Sequence, residues 1–283
     1  MIQDIDPHRL DMTYRLREPA GDDFVVVVRG GKILLRDGEG EGGATLPRVA
    51  QLEAAVPALR DTLAYLFSID ADGVHQFTGE PEDIPGFTFK DTFFLRTFQP
   101  GWIAFAAVTA CHLGTWYAAN RFCGCCGAKM EHKSDERAML CADCGNVVYP
   151  RISPAVVVGV VDGDRILMTR YANRPNNTAM TALVAGFMEV GETLEGTVAR
   201  EVGEEVGLKV KNIRYYRSQP WAFSGSVLVG FYADVDGSTE ITVDETELQE
   251  AAWVARENIA DNLNTLSLTA TMVDAFRRND FPA

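Results

Sequence analysis

The stretch from Gly186 to Leu208, GFMEVGETLEGTVAREVGEEVGL, constrains this chain more than any other. It has the form G-x5-E-x7-R-E-U-x-E-E-x-G-U, with U an aliphatic residue. The fixed places are filled by Gly186, Glu192, Arg200, Glu201, Val202, Glu204, Glu205, Gly207 and Leu208. Read as a helix over residues 194–206, the segment puts Glu201, Glu204 and Glu205 in one narrow arc. Ala199, Val202 and Val206 fall on another arc, able to pack on a sheet. Carboxylates crowded on one face repel by a few tenths of a kcal/mol per exposed pair. Such clustering makes sense where a hard cation, Mg²⁺ or Mn²⁺, takes oxygen ligands and assists phosphoryl chemistry. Arg200 can orient a glutamate through a two-pronged ion pair. Gly186 and Gly191 permit an unusual loop before the helix, and Gly207 suits the left-handed residue that ends it. Gly203, inside the helix, has no evident role. A solvated Glu-rich face would explain the acids, but not the glycines, arginine and aliphatic residues at these offsets.

A second metal is implied upstream. Cys123-Gly-Cys125-Cys126 and Cys141-Ala-Asp-Cys144 form two C-x2-C knuckles separated by fourteen residues. Four thiolates so spaced suit tetrahedral Zn²⁺, and with every ligand a protein atom the site is structural. Gly127 and Gly145 follow the second cysteine of each knuckle, where a tight turn is needed. Cys125 reads as a bystander and Cys111 as buried packing. Disulfides are the alternative, disfavoured because no export signal is visible at the start, which implies a cytoplasmic protein.

The filled pattern from Gly186 to Leu208 is the signature of the Nudix hydrolases. With the knuckles and the segment Ser218-Gln219-Pro220-Trp221-Ala222-Phe223-Ser224-Gly225-Ser226, the chain resembles the zinc-ribbon NADH pyrophosphatase subfamily, whose hallmark is SQPWPFPxS. Six of its eight specified positions match, Ala222 and Ser224 replacing the later prolines. The resemblance implies a hydrolase that needs Mg²⁺ or Mn²⁺ and splits the pyrophosphate of NADH or NAD⁺ into a nicotinamide mononucleotide and AMP. It extends to removal of NAD caps from RNA, and it implies a homodimer. It implies that Ala185 (through its carbonyl), Glu201, Glu205 and Glu247 hold the catalytic metal. Glu192, Arg200 and Glu204 complete the catalytic set, and the general base is Glu204 or Glu247. Arg96, Glu136, Tyr149 and residues 219–226 correspond to positions that touch substrate. Trp221 and Phe223 offer flat faces for a nicotinamide or purine ring, although aromatics at a strand end are often core residues. Gln219 and the serines offer hydrogen bonds. The segment Ser267-Leu268-Thr269 departs from the family's S-I-A, and nothing is carried over from it. The rival readings are the same chemistry on ADP-ribose or dinucleoside polyphosphates, and a sensor that binds without turnover.

With 283 residues, 47% of them hydrophobic, the chain has room for two domains and a small module. The expected class is α+β: an N-terminal α+β domain over 1–120, a zinc ribbon over 121–150 and a Nudix α/β/α sandwich over 151–283. Strands are expected at 24–28 and 33–36, turned at Gly30-Gly31, and at 155–161 and 165–170, turned at residues 162–164. The two hairpins look alike, which suggests that the N-terminal domain is itself Nudix-like. Further expectations are a Gly/Glu loop at 38–43, a strand pair around 88–94 after the break at residues 81–86, a strand at 227–233 and a closing helix at 265–278. Residues 97–120 lack Lys, Arg, Asp and Glu but contain Pro100, Gly101, His112 and Gly114, and so read as a buried helix, not a membrane span. No two of the four histidines are spaced as metal ligands. A net charge of −14 gives no support to broad nucleic-acid binding.

Overall fold

The computed structural model describes residues 1–38, 44–80, 82–172, 182–261 and 265–282. Most of the loop expected at 38–43, and residue 81 of the expected break, lie outside the described residues. The chain divides into two compact units: residues 2–151 with 222–225, and residues 152–221 with 226–283 and Met1.

The first unit carries β1 (Leu10–Asp11), β2 (Phe24–Val26), β3 (Val28–Arg29), β4 (Lys32–Asp37), β5 (Ala44–Thr45), α1 (Val49–Leu52), β6 (Leu63–Ile69), β7 (Asp72–Phe77), β8 (Phe87–Asp91) and α2 (Gly101–Ala119). The small strands β9 (Glu131–His132), β10 (Met139–Leu140) and β11 (Val147–Val148) form the sheet of the cysteine-bearing module. The second unit carries β12 (Ser153–Asp162), β13 (Arg165–Tyr171), β14 (Val184–Phe187), α3 (Leu194–Val206), β15 (Val210–Trp221), β16 (Ser226–Val235), β17 (Leu248–Ala255) and α4 (Leu268–Arg277).

In the second unit the strand order is β15-β16-β12-β13-β17, with β14 paired to β12. The β12–β16 pair is parallel and the others are antiparallel. Val156, Val158 and Val160 of β12 face Val198, Val202 and Val206 of α3 in one cluster. The alternate residues Val157 and Val161 face Leu268, Met272 and Phe276 of α4 in another. Period-2 alternation thus lets one buried strand serve a helix on each side, producing the α/β/α sandwich. Burying each of these valines contributes roughly 1.5–3 kcal/mol.

The first unit repeats this pairing plan. β6 pairs antiparallel with β7, β7 parallel with β2, β3 antiparallel with β4, and β4 antiparallel with β8. β2 and β3 are successive parts of one extended segment, so β6-β7-β2/β3-β4-β8 matches β15-β16-β12-β13-β17. Each last strand is followed by a helix, α2 or α4. The likeness of the two hairpins therefore reflects a shared topology.

Several elements differ from the sequence expectations. The strand around 88–94 is β8, which pairs with β4 and stops at Asp91, because that carboxylate accepts from the Phe93 N–H at 2.8 Å and starts a 3₁₀ turn over Thr92–Arg96. The closing helix begins only at Leu268, where Ser267 supplies the cap. The buried helix read over 97–120 is α2, and among the described residues no helix is long and apolar enough to cross a membrane.

Candidate active site and zinc ribbon

Helix α3 starts and stops where the sequence dictates. The Thr193 hydroxyl accepts from the Gly196 N–H at 3.1 Å, and Gly207 ends the helix at φ +71. Its inner stripe is Val198, Glu201, Val202, Glu205 and Val206, while Ala199 is exposed. This corrects the expected packing arc of Ala199, Val202 and Val206. Two of the carboxylates lie within the buried stripe, which rotates the packing face toward Val198. Glu201 is 8% and Glu205 1% exposed, whereas the Glu204 side chain is 61% exposed.

Gly186 explains itself against Glu201. A Cβ built on Gly186 would lie 2.0–2.2 Å from the Glu201 carboxyl atoms, so any side chain there would evict the carboxylate. Arg200 spends its five donors on this site. Nε and Nη2 grip Glu192 at 2.6 and 3.0 Å, Nη1 reaches Glu201 at 2.7 Å and Glu204 at 2.9 Å, and Nη2 also donates to the Phe187 carbonyl at 2.9 Å. A lysine could not reproduce this fork. Glu192 also accepts from the Glu189 N–H at 3.0 Å and the Thr197 hydroxyl at 2.9 Å. The Arg200 contact, reinforced by these bonds, holds its carboxyl down at about 2.

The inner carboxylates behave oppositely. Burial pushes Glu201 up, partly countered by Arg200. Burial also pushes Glu205 up to about 8, and the charges of Glu201, Glu247 and Asp244 add to the effect. Glu205 Oε1 accepts from the Ala185 N–H at 3.3 Å, while Oε2 is buried without a partner. An orphaned carboxylate oxygen beside a second buried carboxylate is costly unless a cation compensates it. The donor set is all oxygen, so the residues fit a hard divalent ion. Glu247, exposed just before the anchored Leu248, acts electrostatically on both Glu201 and Glu205.

Of the residues assigned to substrate, Ser218 to Trp221 end β15, residues 222–225 form the turn, and Ser226 opens β16. Gln219 is fully buried, and its amide donates to the Leu266 carbonyl at 3.0 Å while accepting from the Leu268 N–H at 2.7 Å. Trp221, Ala222 and Phe223 are half-buried, Ser224 is exposed, Gly225 is half-buried and Ser226 is buried. In the first unit Phe223 stacks on Phe93, with ring centroids 5.8 Å apart and planes at 19°. Arg96 is exposed on the same 3₁₀ turn as Phe93. Tyr149 donates to Glu136 at 3.1 Å, so these two assigned residues meet each other. Sequence reading missed Phe93, Thr197 and Asp244, whose partners become neighbours only through the fold.

The four cysteines converge. Cys123, Cys126, Cys141 and Cys144 place their sulfurs within 4.8 Å of one another, and no disulfide joins them. Among the described residues no three carboxylates come that close. The main-chain N–H groups of Cys126 and Cys125 lower the Cys123 thiol, while the neighbouring thiols raise those of Cys126 and Cys144, as expected where four sulfurs crowd together. Gly127 and Gly145, at φ +79 and +75, donate back to the Cys123 and Cys141 carbonyls at 2.9 Å each and close the knuckles. The thiols fit a closed, structural zinc. Cys125 is exposed outside the set, and burial pushes the Cys111 thiol up to about 12.

Residues 151–273 match the family model of the NUDIX domain. The chain carries a Nudix domain. Residues 118–149 match the NADH pyrophosphatase zinc ribbon domain, so the Nudix domain follows a ribbon of that type. A Salmonella typhi protein named NAD-capped RNA hydrolase NudC is 45% identical over 147 residues, covering 52% of this chain and 56% of that protein. The protein of that name from Shigella dysenteriae serotype 1 is 44% identical over the same length, with the same shares. The chain thus spans about half the length of the curated relatives it matches, 56% in each case. A crystal structure of a NUDIX hydrolase from Nitrosomonas europaea aligns at TM-score 0.47 and 23% identity, covering 58% of this chain and 95% of that one.

Proposed function

We propose that this chain is a divalent-metal-dependent NAD(H) diphosphatase that hydrolyses the pyrophosphate to a nicotinamide mononucleotide and AMP, and that it also removes NAD caps from RNA. The observation that carries this reading is the buried, unpartnered oxygen of Glu205 beside the buried Glu201, framed by the Arg200 fork. The ribbon of the NADH pyrophosphatase type and the NAD-capped RNA hydrolase relatives direct it to dinucleotides.

In this reading Ala185, Glu201, Glu205 and Glu247 would hold Mg²⁺ or Mn²⁺. When bound there, such an ion would supply charge to neutralise pyrophosphate oxygens and acidify water. Arg200 keeps Glu192, Glu201 and Glu204 at fixed places, so no reorganisation is required when charge develops. Water attacks one phosphorus, the P–O bond to the bridging oxygen breaks, and the departing phosphate keeps that electron pair. Glu204 or Glu247, both open to solvent, accepts the proton of the attacking water. Trp221 and Phe223 supply ring faces, and Arg96, Glu136, Tyr149 and residues 220–226 contribute to recognition, while Gln219 braces the end of β15 from its buried position. The domain limits proposed remain 1–120, 121–150 and 151–283. A cytoplasmic homodimer completes the proposal.

The test mixes the zinc-loaded chain and Mg²⁺ or Mn²⁺ with NADH, NAD⁺, ADP-ribose and an NAD-capped RNA, and resolves products by chromatography. Wild type and Glu205→Gln run side by side. Mononucleotide and AMP from NADH, reduced on the order of 10³-fold in the variant, is the expected result. Cleavage confined to ADP-ribose would favour the alternative Nudix substrate class, to which Ala222 and Ser224 in place of prolines point. Binding of NADH without cleavage would overturn the enzyme reading in favour of a sensor.

A further inference from the structure

Residue Asp244 joins the end of α3 to the turn that presents Glu247. Its N–H donates to the Glu205 carbonyl at 3.0 Å. Its Oδ1 accepts from the Thr246 N–H at 2.9 Å and from the Thr246 hydroxyl at 2.7 Å. Its own carbonyl accepts from the N–H groups of Glu247 at 3.2 Å and Leu248 at 2.9 Å. These five bonds leave residues 244–248 little freedom, because the side chain closes the turn while the main chain is tied to Glu205 itself. The other side of the turn is fixed as well. The Glu247 carbonyl accepts from the Ala172 N–H at 2.9 Å, and Leu248 is 1% exposed in the α3-side core.

We infer that Asp244 is a positioning residue that sets the place of Glu247 relative to Glu205, and so builds the third carboxylate of the cation site without touching the cation. This rests on the reading of Glu247 as a ligand. Holding a ligand from behind is where metal sites gain much of their affinity, commonly about 10–100-fold. The alternative is that Asp244 acts by its charge, which also bears on Glu205. The two are separable, because asparagine keeps an oxygen for Thr246 and loses the charge.

The experiment measures Mn²⁺ binding to the full zinc-loaded chain by electron paramagnetic resonance, without substrate, for wild type, Asp244→Ala, Asp244→Asn, Glu247→Gln and Asp244→Ala/Glu247→Gln. Asp244→Ala is expected to weaken Mn²⁺ by about 10-fold. Asp244→Asn should stay within about 2-fold of wild type, and the double variant should be no weaker than Glu247→Gln, since both changes remove one interaction. Wild-type affinity in Asp244→Ala, equal loss in Asp244→Asn, or additivity in the double variant overturns the inference while leaving Glu247 a ligand. Wild-type affinity in Glu247→Gln instead overturns the ligand reading together with the inference. Should Asp244→Ala fail to fold, Thr246→Val decides: a weaker Mn²⁺ site restored by Thr246→Ser supports the inference, and unchanged affinity overturns it.

Discussion

Between β5 and β6 the first unit forms only the four-residue α1 and a 3₁₀ turn over Leu59–Thr62. At the matching place between β14 and β15 the second unit forms the thirteen-residue α3, with Glu201 and Glu205 turned inward. The strands that follow, β6 and β15, begin matching sheet orders, although β5 pairs with β4 and β14 with β12. The scaffold therefore accepts either insertion, and the chemistry belongs to the segment that follows one short strand. Each unit also buries acid at a glycine. Gly186 makes room for Glu201, and a Cβ on Gly73 would lie 2.8–2.9 Å from Asp23 and His75. In the first unit that acid is fully partnered: Asp23 takes the N–H groups of Ala20 and Gly73, His75 and Arg17 at 2.7–2.9 Å. In the second, Glu205 keeps an oxygen unpaired. One buried acid is satisfied by its own neighbours, and the other keeps a carboxylate oxygen that no protein group donates to.

Exchanging these glycines tests the contrast. Gly186→Ala should displace Glu201 and lower kcat for NADH by about 10²-fold or more, since angstrom-scale displacement of a catalytic group is that costly. Thermal unfolding of the same variant should move little. An alanine variant with wild-type kcat would break the assignment of Gly186. Gly73→Ala should do the reverse, costing roughly 1–3 kcal/mol in urea unfolding by overpacking while leaving Mn²⁺-dependent turnover in place.

A smaller effect should appear with pH. Burial lowers the His75 value below its ordinary 6.5, and the Asp23 contact only partly offsets this. The unfolded chain then binds more protons, so stability is present above 6.5 and is lost as pH falls from there toward the depressed native value. Asp23, held below its usual 3.8 as its N–H, His75 and Arg17 contacts outweigh burial, extends the loss to lower pH. Replacing His75 with Gln should flatten the upper part of that slope in denaturation at pH 5–7; an unchanged slope would remove His75 from the account.

Much of this was legible because the chemistry is written locally. The pattern from Gly186 to Leu208 marks α3 over Leu194–Val206, and the knuckles bring four sulfurs together. Adjacent-strand hairpins were also readable, being closed by their own turns. What escaped notice depended on distant partners. Ala199 and Val198 lie about 100° apart on the helix, and packing against Val156, Val158 and Val160 of β12 decides which of them faces inward. Asp244 looks like any acid in an acidic loop until Glu205 lies beside it. Gln219 read as a polar group offered to substrate, although its amide is occupied by residues 266 and 268.

That amide contact has a consequence for how this region tolerates sequence drift. Gln219 reads a carbonyl and an N–H, both main-chain atoms, at the entrance to α4. Backbone groups are the same whatever side chains are attached. Changes within residues 267–269 that keep a capping side chain at 267 and a buried apolar one at 268 therefore leave the end of β15 with the same brace.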